Sequence, residues 1–289
     1  MKVNKPIIII GTGRSGSTIF HNVFSRYEKL AWISSLSNST PAKFQKHQLL
    51  MKSINFPIIG NKLIDKFLVG EGYKFWDHYA NGFSVPCRDL TKDDLSIKFR
   101  KNLNVGMSKL LSKSRNRLLL KITGWPRITY LKAAFPDAKF IHIIRDGRAV
   151  ANSMLNIDFW WGWRGPHNWR WGELPEQYHS EWLEHNKSFI ALAAIEWKIL
   201  MDALEEGKKP LTEKNYLEIR YEDLCASPIK EFEKVLKFSE LEMTDKFKKI
   251  INQTKFRNTN SKWENELNDK QKTILNEVLY DYLVKYGYE

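Results

Sequence analysis

Apolar positions along the chain fall into two alternating periods, one of strands and one of helices. The short run Pro6 to Ile10 precedes a glycine-rich turn, and in the stretch from about Ser17 to Tyr27 the residues Ile19, Phe20, Val23, Phe24 and Tyr27 share one helical face. This predicts strand, loop, helix. A second short strand is expected around Leu30 to Ser34; from there to about residue 90 the chain is rich in Gly, Asn and aromatic residues and weakly periodic. A helix is expected over Thr91 to Ser112, and RLLLKI (Arg117 to Ile122) has the continuous apolar character of a buried parallel strand. The unit then repeats, with a helix near Pro126 to Ala134, a turn at Pro136 and Asp137, a strand Lys139 to Ile144 and a helix from about Arg148 to Leu155. A long helix from about Ser180 to Leu204, a strand Tyr216 to Ile219 and three C-terminal helices complete the pattern. Such alternation predicts an α/β fold: a central parallel sheet flanked by helices, with a P-loop-like strand-loop-helix at its start. One domain over residues 1–289 is expected, with a Trp-rich insert at 157–175.

Composition narrows this only a little. With 289 residues, 43% hydrophobic and 27% charged, the chain has the make-up of a soluble protein able to close a substantial core. Ile7 to Ile10 is too short for a signal-peptide core or a membrane span, and the stretch Phe189 to Leu200, interrupted by Glu196 and Lys198, reads as an amphipathic helix. Two cysteines, Cys87 and Cys225, give no disulfide framework, which points to a reducing cytoplasm, and no Cys/His cluster has metal-ligand spacing. The net charge of +13 suits an anionic partner; spread along the chain, it does not choose between nucleic acid, a peripheral contact with anionic lipid, and a nucleotide.

The turn GTGRSGST, Gly11 to Thr18, lies between an apolar strand and an amphipathic helix, so free backbone N–H groups and the helix N-terminus face whatever sits in it. It meets the dinucleotide fingerprint through Gly11, Gly13 and Gly16, but no acidic residue closes a clear second strand at the ribose-binding distance. It has the glycine spacing of a P-loop as well, yet Ser17 occupies the place of the phosphate-binding lysine. The loop's own cation is Arg14, whose guanidinium suits an oxyanion-rich group. A second strand-turn-helix, AKFIHIIRDGRAVANSML (Ala138 to Leu155), offers Arg145 at the strand end and Ser153 in the helix, which can converge on one further anion. A nucleotide phosphorylated at both its 5′ and 3′ positions needs two such sites.

The pair GTGRSGST and RDGRAVANS resembles the 5′-phosphosulfate loop and 3′-phosphate motif of sulfotransferases that use 3′-phosphoadenosine 5′-phosphosulfate (PAPS). The arginine in the first loop is more similar to the bacterial and tyrosylprotein branches than to the cytosolic branch with its lysine. LLLKITGWPR (Leu118 to Arg127), FPDAKF, IRYEDL (Ile219 to Leu224) and SKWENEL (Ser261 to Leu267) match further, in the family's order, from residue 6 to about 267. The resemblance implies the sulfotransferase fold and transfer of a sulfuryl group to a hydroxyl by in-line displacement, leaving 3′-phosphoadenosine 5′-phosphate (PAP). It implies that Gly13, Arg14, Ser15, Gly16, Ser17 and Thr18 hold the 5′-phosphosulfate, that Lys121 assists transfer, and that Arg145 and Ser153 hold the 3′-phosphate. Tyr221 would approach the nucleotide from its strand, with Arg257 and Lys262 in a loop that closes over it; the tyrosylprotein branch's catalytic serine has no assigned counterpart.

Transfer of this kind needs positioning and cations on the leaving phosphate, which Arg14 and Lys121 supply without a metal, and a general base near the acceptor hydroxyl. The region where the tyrosylprotein-type glutamate should fall reads AWISSLSNS, with no carboxylate. Glu71 in GEGYKFWDHY, a string similar to one in bacterial relatives, is the candidate base, with Asp77 and His78 next. DFWWGWRGPHNWRWGEL (Asp158 to Leu174) concentrates five tryptophans after the second phosphate helix; Trp161, Trp163, His167 and Trp169 are the expected acceptor contacts, on a carbohydrate, lipid-linked or small-molecule acceptor. Two other classes stay in view. A P-loop nucleotide or small-molecule kinase is opposed by Ser17 at the lysine position, and a basic nucleic-acid-binding module by the organised anion turns.

Overall fold

A computed structural model describes residues 1–56, 59–85 and 87–289. Five strands, β1 (Ile7–Gly11), β2 (Leu30–Ala31), β3 (Arg117–Thr123), β4 (Lys139–Ile144) and β5 (Tyr216–Arg220), form one parallel sheet in the order β2-β3-β1-β4-β5. The helix α1 (Ser17–Phe24) follows β1. Between β2 and β3 lie α2 (Ser35–Ser39), α3 (Gln45–Ser53), α4 (Gly60–Phe67), α5 (Tyr73–Tyr79) and α6 (Ile97–Ser108). Next come α7 (Ile128–Ala134) before β4, and α8 (Gly147–Leu155), α9 (Glu176–Glu184) and α10 (Phe189–Lys208) before β5. The chain ends with α11 (Tyr221–Ala226), α12 (Pro228–Phe238), α13 (Asp245–Gln253), α14 (Lys262–Glu266) and α15 (Asp269–Tyr286).

The run IIII works because both faces of β1 are covered. Ile7 and Ile9 pack into a core layer with Phe20, Phe24 and Phe232, while Ile8 and Ile10 join the larger layer that contains Trp197 and Leu204. All four are fully buried, as a strand central to a parallel sheet requires. β1 pairs with β3 on one side and β4 on the other, in a register that puts Ile9 opposite Lys121 and Gly11 opposite Thr123. The chain turns outward in both directions from β1, so a crevice opens beyond the carboxyl ends of these three strands.

Where the chain departs from the periodicity reading, the cause is local. The expected helix Ser180 to Leu204 is two helices, α9 and α10. Asn186 and Lys187 between them adopt positive φ (54° and 55°), and Ser188 caps α10 by accepting from the Ala191 amide at 3.3 Å. The weakly periodic region after β2 holds four short helices, each with too few turns to show a period. The helix expected over Thr91 to Ser112 is a 3-10 turn at Lys92–Asp94 followed by the shorter α6, started by its own Ser96 cap. Five helices, not three, follow β5. α10 is buried almost all round, so the expected amphipathic face is absent and both Glu196 and Lys198 lie inside.

Candidate active site

The first turn has the backbone its glycines foretell. Gly13, Arg14 and Gly16 all have positive φ (78°, 52° and 86°), and Gly16 occupies the N-cap of α1 with no side chain capping the helix. The first-turn amides of α1 are thus directed at the crevice, with the positive end of the helix behind them. Gly16 is fixed by contact as well, since a Cβ there would lie 2.2 Å from the Tyr221 ring. Tyr221 therefore lies against the loop, but it opens α11 and is not a strand residue. Ser15 is fully buried with its hydroxyl turned toward Gly11, where an added Cβ would meet it at 2.7 Å, so only its main chain is on offer to a ligand. Arg14 and Thr18 are the exposed side chains of the turn.

Lys121 stands at the centre of the site. Five per cent exposed and on the middle of β3, its Nζ lies 3.1 Å from Thr18 Oγ1 and 3.1 Å from Glu71 Oε1. Glu71 is set there by several contacts. An antiparallel bridge Ser34–Leu68 ties its segment to the end of β2, and Gly72, at φ 68°, packs where a Cβ would meet Ile33 at 2.7 Å. The Trp76 indole donates to the Glu71 carbonyl at 3.1 Å, and Thr123 Oγ1 donates to its carboxylate at 2.5 Å. Neither runner-up reaches this point: Asp77 accepts the Ser84 amide at 2.9 Å as a turn anchor, and His78 is exposed against Tyr79. His21, fully buried beside Lys121, is pushed down to about 3 by burial and then by the Lys121 charge, so it stays neutral.

In the second turn, Arg145 and Ser153 are both engaged with Arg14. Ser153 Oγ accepts from Arg14 Nε at 2.9 Å, and Arg145 donates to the Arg14 carbonyl at 2.9 Å. The rest of the Arg145 fork donates to Asn260 Oδ1 at 2.8 Å and to the carbonyl and hydroxyl of Thr259 at 3.0 Å, with the Tyr221 ring 4.5 Å away. Burial pulls its guanidinium down from the ordinary arginine range. Arg145 is thus a strut between the first loop and the C-terminal loop. That loop carries Arg257, whose carbonyl accepts from the Tyr221 hydroxyl, and Lys262 at the start of α14, both with exposed side chains.

A cavity of about 230 Å³ joins these groups to the Trp-rich segment. Gly13, Arg14, Ser17, Thr18, Glu71 and Lys121 line it from the loop and α1, the segment before α5, and β3; Met154, Phe159, Trp160, Arg170, Trp171 and Glu196 line it from α8, the segment after it and α10. The expected contacts Trp161, Trp163, His167 and Trp169 are not in this lining. Trp169 is buried and donates to the Gly172 carbonyl at 2.5 Å; Trp161 and Trp163 are exposed around the Arg164 guanidinium, and His167 is exposed. Trp160 and Trp171 line the cavity instead. Trp171 comes close because Gly124, at φ 83°, leaves room where a Cβ would stand 2.7 Å from its ring. Glu196 escaped the sequence reading because a lone glutamate in a helix reads as surface.

Residues 123–245 match the model of the sulfotransferase family. No curated protein matches the chain by sequence. Among solved structures, the chain is similar to sulfotransferase STF9 from Mycobacterium avium, with 14% identity, coverage of 99% of this chain and 77% of that one, and a TM-score of 0.57. It is similar to STF1 from Mycobacterium tuberculosis H37Rv (13%, 96% and 76%, TM-score 0.54). It is also similar to the sulfotransferase domain from the curacin biosynthetic pathway (11%, 96% and 98%, TM-score 0.52). The five-stranded parallel sheet with its flanking helices is the sulfotransferase fold.

Proposed function

We propose that this chain, a member of the sulfotransferase superfamily, transfers a sulfuryl group from PAPS to a hydroxyl of its acceptor. The observation that carries the reading is Lys121 held 3.1 Å from both Thr18 Oγ1 and Glu71 Oε1, where the anion turn meets a carboxylate. The turn fits a phosphosulfate: it combines left-handed backbone at Gly13, Arg14 and Gly16, an uncapped helix N-terminus and the Arg14 guanidinium. Ser17, 2% exposed at the place of a kinase's phosphate lysine, argues against the kinase alternative.

PAPS supplies a sulfuryl group already activated by its bond to the 5′-phosphate. Glu71 orients the acceptor hydroxyl and takes its proton as the new S–O bond forms. Lys121 and Arg14 hold the negative charge that grows on the departing 5′-phosphate oxygen, in a site where Lys121 is nearly water-free. Lys121 Nζ, 3.1 Å from Glu71 Oε1, links the anion turn to the base. Arg145 and Ser153 lie together beside Arg14, which supports a reading in which they hold the 3′-phosphate, with Arg257 and Lys262 exposed on the C-terminal loop.

PAP should therefore stabilise the fold, by about 2.7 kcal/mol at a hundredfold excess over its Kd, while AMP at the same concentration gives a much smaller rise in Tm. Thermal denaturation with each nucleotide checks this, and equal shifts would remove the 3′-phosphate reading. Arg145→Ala should raise the KM for PAPS by about 10- to 100-fold, because it frees the Arg14 carbonyl and the Thr259–Asn260 turn together, with kcat at saturation nearly intact. Steady-state kinetics in PAPS decide; a loss confined to kcat would place Arg145 in the reaction itself.

A further inference from the structure

Glu196 is a charge-bearing residue that the transfer reaction does not use. It is 1% exposed, on a helix whose other buried side chains are apolar apart from Lys198, and it lines the cavity. Trp160 Nε1 donates to its Oε2 at 2.6 Å, whereas its Oε1 is buried with no hydrogen-bond partner among the described residues. Lys198, two residues along the same helix, is engaged elsewhere, with Glu181 at 2.7 Å and the Val278 carbonyl at 3.1 Å. A buried carboxyl oxygen left without a donor is destabilising, so one on a residue that lines a cavity marks a place where a ligand donor belongs.

The surroundings say what kind of ligand. Trp160 and Trp171 flank Glu196, and Trp171 also touches the end of β3 beside Thr123, the residue that holds Glu71. Indole faces suit the C–H faces of a ring, and a carboxyl between them suits a hydroxyl on that ring. Burial, the largest effect, lifts the Glu196 carboxyl to about 7 against the Trp160 hydrogen bond and then the charge of Arg170 from the neighbouring segment; the Trp171 indole lies beside it without a hydrogen bond to Oε1. A hydroxyl can donate to the ionised form and accept from the protonated one, so it fits either state; an ammonium ligand would meet the Arg170 charge.

We infer that Glu196 is an acceptor-specificity residue whose free Oε1, set between Trp160 and Trp171, binds a second hydroxyl of a ring-shaped, polyhydroxylated acceptor whose first hydroxyl reacts at Glu71. The inference rests on the sulfuryl-transfer reading for the position of the reacting hydroxyl. Glu196 itself takes no part in the chemistry. It positions the acceptor and selects against ring alcohols with a single hydroxyl.

The test is calorimetric titration of PAP-saturated protein with methyl glycosides of glucose, galactose, mannose and N-acetylglucosamine, and with cyclohexylmethanol as the ring alcohol of one hydroxyl. Wild type should bind at least one glycoside. Glu196→Leu should weaken that binding by about 10- to 100-fold, with cyclohexylmethanol and PAP affinity unchanged within about twofold. Glu196→Gln keeps an oxygen for Trp160 but turns an amide toward the ligand; it should give an intermediate loss, and it carries the comparison if the Leu variant does not fold. Failure of every glycoside to bind wild type, or equal weakening of glycoside and cyclohexylmethanol, overturns the inference. Failure of PAP to bind wild type would overturn the donor reading instead, and the glycoside comparison made without PAP would still decide for Glu196.

Discussion

Lys121→Ala should lower kcat by about 10²–10³ while PAP affinity stays within a few-fold of wild type. The expectation follows from where the ammonium sits. Lys121 is 5% exposed, midway between Thr18 of the anion turn and Glu71, so water cannot take over its charge when the side chain is cut back. Charge on the leaving oxygen develops only as the bond to the sulfuryl group breaks, and so the loss falls on the transition state and spares ground-state binding. On the proposed reading, the backbone amides of the turn and Arg14 would still hold the nucleotide. The fold should tolerate the change, since Glu71 keeps its hydrogen bond from Thr123 and part of its surface in solvent. Single-turnover rates with labelled PAPS, alongside PAP titration, separate the two quantities. A rise in Kd with kcat unchanged would reassign Lys121 to nucleotide binding.

Glu71→Gln should depress kcat by about 10²–10⁴, the range of a positioned general base, again with PAP binding preserved. Glutamine is nearly isosteric and can keep the Thr123 hydroxyl as donor, so the change removes basicity and leaves shape. Asp77→Asn and His78→Ala should leave turnover close to wild type, because Asp77 serves the Ser84 turn and His78 points into solvent. As Glu71 and Lys121 touch at 3.1 Å, their effects should not add; the double variant should lose clearly less than the product of the single losses. Near-normal turnover in Glu71→Gln would sink the assignment of the base.

The sequence by itself determined the frame on which this chemistry is mounted. A run of four isoleucines ending in a glycine-rich turn can only be a strand buried on both faces that feeds a helix, and β1, the turn and α1 follow the pattern. β4 matches its expected bounds, and β3 exceeds its own by one residue, Thr123, because each is a mostly apolar run whose burial is decided locally. The glycines carried similar information. Their left-handed conformations at positions 13 and 16 are a property of the residue type, and they fixed where an anion could be received.

What lay beyond the sequence was every assignment that depends on a partner far along the chain. Arg145 read as an anion ligand, but Thr259 and Asn260 stand more than a hundred positions later, and only folding shows that it also ties their loop to the first turn. Trp160 and Trp169 look alike in the sequence, yet the first reaches Glu196 across 36 positions at the edge of the cavity and the second bonds within its own loop. Glu196 looked like a break in an apolar stripe until the packing of α10 enclosed it. Hydrophobic periodicity is a short-range signal, summed over a few turns of one element. A binding site is made of groups from several elements, and which polar atoms remain unsatisfied there is settled only once all of them have packed.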